Sequence, residues 1–231
     1  MFVRQNQQQF RNSNADVQIF YGSSTTGNAN HALKSWNKPV GISHIYMMLI
    51  GAGGENNFGA DSTGAGSGAV TVRYGAAQHV PDNLIASIPV RQNPSATQVI
   101  YRAKTSTVLL SANGGVNPTA GAAMTANYFT ASGFFQSVAG QNGSTGNPGA
   151  STTTFLAGGG RDGGGTGDGN YGYQTKVGSA GGYFQLQPII VGAPALGGSQ
   201  TEAVAAVGCG GGGSAVATLY GGPGMVLIAS W

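Results

Sequence analysis

Glycine comes in tracts. Gly158-Gly159-Gly160-Arg161-Asp162-Gly163-Gly164-Gly165 and Gly208-Cys209-Gly210-Gly211-Gly212-Gly213 are two of them, and the chain holds 42 glycines in 231 residues. The usual share is about 7 per cent. Each glycine costs about 0.5–1 kcal/mol relative to alanine inside a helix or strand, so the excess amounts to the scale of a whole domain's stability. Ordinary helices and strands are therefore ruled out for the tracts. They serve as loops with positive φ, as backbones packed closer than a Cβ allows, or as polyglycine rods. All three suit a rigid assembly part better than an enzyme.

What surrounds the glycine is ordered protein. Hydrophobic residues make up 40% of the chain and charged residues 7%, where about 25 per cent charge is typical. A disordered chain combines high net charge with few aromatics; this one has nine Tyr, nine Phe and two Trp. Its surface is polar through Asn, Ser, Thr and Gln, and such a surface suits packing against identical copies because few charges must be desolvated.

Charge is placed unevenly. Arg4, Arg11, Lys34 and Lys38 against Asp16 account for the whole net charge of +3, so the basic character belongs to the N-terminal part. Scattered cations do not make a nucleic-acid face, since each phosphate contact needs its own cation, and no nucleic-acid partner is expected. Cys209 is the single cysteine, which excludes an intrachain disulfide and a zinc site with cysteine spacing. Residues 1–9 lack the apolar centre of a secretory signal, and the apolar run 45–50 is far short of a membrane span.

Residues 1–14 read as an extended arm with Phe2 and Phe10 as isolated anchors and Arg4 and Arg11 as its cations, ordering on a partner. A first short strand is expected over 16–21. The run 42–50, bounded by Pro39 and Gly51, is short and ends in the unbroken apolar stretch 45–50, which predicts a buried strand. Residues 69–74 alternate with period two, as a half-buried strand does. Residues 99–101 and 108–110 form an expected hairpin, and further strands are expected at 183–191, 215–220 and 225–231. Residues 120–129 could hold one or two helical turns. Many short strands between turn signals indicate an all-β sandwich or barrel. The organisation expected is an arm with the first strand over 1–35 and a glycine-rich β-sandwich domain of jelly-roll type over 36–231.

Several of these pieces occur in a recognisable order. A Trp-x-Lys-Pro-x-Gly opening (Trp36, Lys38, Pro39, Gly41), an apolar strand running into Gly51, Gly53 and Gly54, and a Gly/Ser-led strand from Gly66 to Tyr74 come first. A closing glycine cluster from Gly208 to Gly213, then Gly221-Gly222-Pro223-Gly224 and a last strand ending in Trp231, come at the end. This pattern resembles the glycine-rich domain of bacteriophage virion and tail proteins, over residues 36–231. The glycine-poorer middle, residues 78–135, departs from it. The resemblance implies a virion structural or host-contact role, a location in the virion after synthesis in the host cytoplasm, and no catalytic residues or cofactor.

Residues 158–173 are the candidate contact site. Arg161, Asp162, Asp168, Asn170, Tyr171 and Tyr173 stand among glycines, and aromatic faces beside amide and carboxylate groups are what stacks on sugar rings and bonds their hydroxyls. The plainer reading, a loop packed against a neighbouring subunit, stands beside it. Gly140, Gly143, Gly146 and Gly149 recur at every third place, but three triplets are too few to hold a triple helix, and a turn-rich loop is expected. The dinucleotide-type spacings at 167–172 and 208–213 do not open a helix in a βαβ unit and reflect composition. His31, His44 and His79 are scattered and the carboxylates isolated, so neither a metal site nor an acid/base pair is expected, and the chain does not read as an enzyme. The expectation is a phage structural protein, a capsid decoration, spike or tail component. It assembles with copies of itself as a trimer or larger symmetric array, docks on other virion proteins through Phe2, Arg4, Phe10 and Arg11, and touches host-surface glycans. The alternative is a subunit of a non-viral extracellular filament or matrix.

Overall fold

The computed structural model describes residues 15–22, 31–54, 66–90, 96–101, 107–116, 119–124, 133–140, 208 and 221–231, with the backbone alone of 144–145 and 162–163. Among these, the fold is all-β, with one 3-10 turn at Ala77–His79 and no α-helix. The strands are β1 (Asp16–Tyr21), β2 (His31–Asn37), β3 (His44–Ile50), β4 (Val70–Ala76), β5 (Asn83–Pro89), β6 (Thr97–Tyr101), β7 (Val108–Ala112), β8 (Phe134–Val138), the two-residue β9 (Ser144–Thr145) and β10 (Asp162–Gly163), and β11 (Met225–Ser230).

Two antiparallel sheets carry the fold, five-stranded β1-β11-β3-β4-β8 and four-stranded β2-β5-β6-β7. They pack face to face through one core that takes Ile45, Met47 and Leu49 from β3 and Val226 and Ile228 from β11. Leu84, Ala86 and Ile88 from β5 and Leu109, Leu110 and Ala112 from β7 complete it. Burying each large aliphatic side chain is worth about 1.5–3 kcal/mol. The order β1-β11-β3, with first and last strands side by side, is the closure a jelly roll also uses, whereas β5, β6 and β7 form a plain meander. The chain reaches β5 from its neighbour β2 only after passing through β3 and β4 in the other sheet.

The strands expected at 16–21, 42–50, 69–74 and 225–231 and the hairpin at 99–110 are present. One expectation changes: β4 is not half-buried. Val70 and Val72 join Tyr46, Met48, Ile50, Met225 and Leu227 in a second buried apolar layer on the outer face of the five-stranded sheet. The continuous apolar runs of β3 and β11 follow, because a strand buried on both faces needs no polar alternation. The inner face of β4 carries Thr71, which shares a 2.8 Å hydrogen bond with Ser137 of β8, and Arg73. That arginine is fully buried opposite Met47 and Phe135, and its guanidinium donates at 3.5 Å to the carbonyls of Ile45 and Ala76. Burial depresses its pKa. Residues 120–124 contain no helical turn; the remainder of that stretch and the strands expected at 183–191 and 215–220 lie outside the described residues.

Candidate functional site

Where β3, β4 and β11 run out at one end of the sandwich, their chains continue as glycine. Residues 51–54, 66–69 and 221–224 are all buried, as are Gly115, Gly121, Gly140 and Gly208. Their amides bond from segment to segment: Gly53 to the carbonyl of Gly222 at 2.9 Å, Gly54 to Gly66 at 2.9 Å, Gly66 to Val116 at 3.1 Å, Gly68 to Gly208 at 2.9 Å, Gly121 to Ser67 at 2.9 Å and Gly140 to Gly121 at 3.0 Å. A strand in a sheet has two neighbours. Residues 66–69 bond to four other pieces of chain, those containing Gly51, Val116, Gly121 and Gly208, so this end is a three-dimensional bundle of backbones.

Glycine is required by that geometry. A Cβ on Gly51, Gly66, Gly68, Gly115 or Gly221 would stand less than 3.0 Å from backbone atoms of a neighbouring segment, a spacing no side chain tolerates; the crowded axis of collagen admits only glycine for the same reason. At Gly208 a φ of +73° adds a conformational demand.

The bundle gathers the roots of several long connections. Residues 55–65 leave from Gly54 and return at Gly66, residues 141–207 run between Gly140 and Gly208, and residues 209–220 run between Gly208 and Gly221. Each of these flanking glycines is buried and bonded as above or, for Gly221, packed against Gly53 and Gly54. Between Gly22 and His31 a further connection has its roots here, since Gly22 donates to the Gly224 carbonyl at 3.1 Å and His31 pairs with Pro89.

The opposite end has different chemistry. Trp36 is buried in the inter-sheet core. Lys38 donates through Nζ to the carbonyls of Val80 at 2.8 Å and Ala77 at 3.4 Å and forms an ion pair with Asp82, tying the β2–β3 connection to the 3-10 turn. Gly41 then turns the chain at φ +82° in open space. The Trp-Lys-Pro-Gly opening is thus a core anchor, a clamp and a turn. On the outer face, His44, Tyr74 and Trp231 cluster with ring centroids 5.7, 5.8 and 6.1 Å apart and planes within 18° of parallel. The two ends are separated by the length of β11, about 20 Å at 3.4 Å per residue. β1 begins at the aromatic end, with Asp16 opposite Ser230, so the chain preceding β1 joins the sandwich at the pole away from the glycine bundle.

Of the residues singled out in the sequence, Asp162 is described only as backbone, in the parallel pair of Asp162 with Ser144 and Gly163 with Thr145. Arg161, Asp168, Asn170, Tyr171 and Tyr173, and Phe2, Arg4, Phe10 and Arg11, lie outside the described residues, as does Cys209. His31 shares a 3.0 Å hydrogen bond with Ser87, and partial burial lowers its pKa; burial pushes the Tyr46 phenol well above its ordinary pKa. Among the described residues, no three His, Cys, Asp or Glu side chains converge as metal ligands, and no helix is long and apolar enough to cross a membrane. The grouping of His44, Tyr74 and Trp231 is not marked in the sequence, although Tyr74 and Trp231 each stand at the end of an expected strand. No family model matches the chain, and no characterised protein matches it in sequence.

Proposed function

We propose that the chain is a structural protein of a bacteriophage particle, a decoration, spike or tail component that presents loops to host-surface glycans. One observation carries the reading: both ends of residues 141–207, which include the Gly158–Tyr173 tract, are anchored in the buried glycine bundle at Gly140 and Gly208. A loop with immobilised roots loses less conformational entropy when it binds than one on a mobile base. The root of the arm at the other pole supports a division of labour, attachment at one end and contact at the other. The resemblance of the Trp36–Gly41 opening and the two glycine clusters to glycine-rich virion domains points the same way, as does a surface poor in charge, which suits a trimer or larger array of identical copies.

The test is host adsorption by particles carrying Tyr171→Ala and Tyr173→Ala together. Adsorption should fall while particle yield and composition stay the same. Unchanged adsorption would remove the tract from the contact site. Absence of the chain from the protein inventory of purified particles would end the virion reading and favour the filament subunit.

A further inference from the structure

The aromatic group at the arm end is larger than a triad. Tyr74 lies directly opposite Phe134 on β8, and His44 and Trp231 exchange backbone hydrogen bonds at 3.0 and 3.1 Å, so four adjacent strands, β11, β3, β4 and β8, each place one ring on the same outer face. Phe134 is 56% exposed and the other three are half-buried. Tyr74 and Trp231 pack against the buried outer layer that includes Tyr46, Val72 and Ala229. By the strand registers, the outward-facing positions of the five described strands include no Lys, Arg, Asp or Glu. The described face therefore attracts cations and apolar groups through ring quadrupoles and area, with no charged side chain at its described strand positions.

What precedes β1 has the complementary chemistry. Residues 1–15 carry Arg4 and Arg11, Phe2 and Phe10, and no acid. They enter beside the row, since Asp16 pairs with Ser230 and Ala15 follows on toward Trp231. An extended chain advances about 3.3–3.6 Å per residue, so Arg11 lies within about 17 Å of Asp16 and Phe10 within about 20 Å. From β1 to β8 is four inter-strand steps of about 4.8 Å, about 19 Å in all. The reach of the arm thus matches the distance from β1 to the far end of the row.

We propose that the N-terminal arm docks across the row Trp231–His44–Tyr74–Phe134, with the Arg11 guanidinium over a ring face and Phe10 against Phe134, on its own sandwich or on that of a neighbouring copy. The two arrangements share one interface; the second links copies by arm exchange. The virion reading is not used in this argument, and the test needs only the purified chain.

The full chain is made with the photo-cross-linker p-benzoyl-phenylalanine at position 10, irradiated, digested and mapped by mass spectrometry. Cross-links to peptides containing Tyr74, Phe134 or Trp231 are expected, and the gel mobility of the product reports whether they join one chain or two. Phe134→Ser, at an exposed position, should lower their yield about fivefold, the loss of one aromatic contact, with the melting temperature unchanged. Deletion of residues 1–14 should shift the Trp231 emission to the red while Trp36 stays buried. Cross-links confined to other peptides, or a yield insensitive to Phe134→Ser, would each overturn the proposal.

Discussion

The amide of Gly54 donates to the carbonyl of Gly66 at 2.9 Å, so the chain that leaves the sandwich at the first glycine comes back at the second in direct contact with its own departure point. Gly140 and Gly208, which flank residues 141–207, are linked less directly, through Gly121 and residues 67–68, and these bonds convert the most conformationally permissive residue into a fixed base. Three backbones can meet there only because no Cβ intervenes.

Substitutions in that base should be costly out of proportion to their size. Gly68→Ala puts a methyl group into the carbonyl of Gly51 and should destabilise the fold by about 3 kcal/mol, the upper end of overpacking costs. Gly41→Ala meets nothing within 4 Å and carries only its positive φ, about 1–2 kcal/mol. Urea denaturation of the two variants would separate packing from conformational cost; equal losses would show that the close approach does not matter.

The Lys38 clamp should be worth more than its ion pair. Asp82 is 77% exposed, and exposed pairs contribute about 0–1 kcal/mol, so Asp82→Asn should leave stability nearly unchanged. Lys38→Met also removes donors from the carbonyls of Val80 and Ala77 and should cost about 1–3 kcal/mol. Thermal unfolding of both variants decides whether the carbonyls or the carboxylate matter.

Stability should fall on mild acidification, in part through His31. Its folded-state pKa lies below the ordinary 6.5 because partial burial disfavours the imidazolium. The unfolded chain therefore takes up a proton first as pH drops below 6.5, and folding loses free energy until the folded ring also titrates. His31→Gln, which can still bond Ser87, should flatten the stability profile across that window. An identical profile in the variant would assign the slope to other groups.

The arm should be dispensable for folding. β1 begins at Asp16 and its ladder to β11 needs nothing earlier, so a chain lacking residues 1–14 should keep the circular dichroism of the full chain. On the proposed function it should fail to enter particles; normal incorporation would contradict docking through Phe2, Arg4, Phe10 and Arg11.

How much of this could be read from the sequence depends on whether side chains carried the pattern. β3 and β11 were readable because their apolar runs are bounded by Pro or Gly. β2 was not: His31–Asn37 is an edge strand with one fully buried residue, Trp36, and Leu33, Lys34, Ser35 and Asn37 exposed, so it lacks a clear alternation. β8 reads Phe-Phe-Gln-Ser-Val with Phe134 and Gln136 outward and exposed, again an edge. The close packing of main chains was legible in the glycine count, but the choice of partners was not. Nothing in the residue identities distinguishes Gly66 from Gly208 as a neighbour, because a residue without a side chain leaves no complementary mark. The aromatic row was hidden for another reason: its four rings come from strands distant in sequence, and only the register of β11, β3, β4 and β8 brings them together.

Amide hydrogen exchange at the glycine bundle tests the central claim most directly. If buried glycine segments form a bonded base for the long connections, the amides of Gly53, Gly54, Gly66, Gly68, Gly121 and Gly140 should exchange as slowly as those of Met47 and Ile228 in the sheet. Exchange at those glycines near the rate of an unfolded chain, with the sheets still protected, would contradict it.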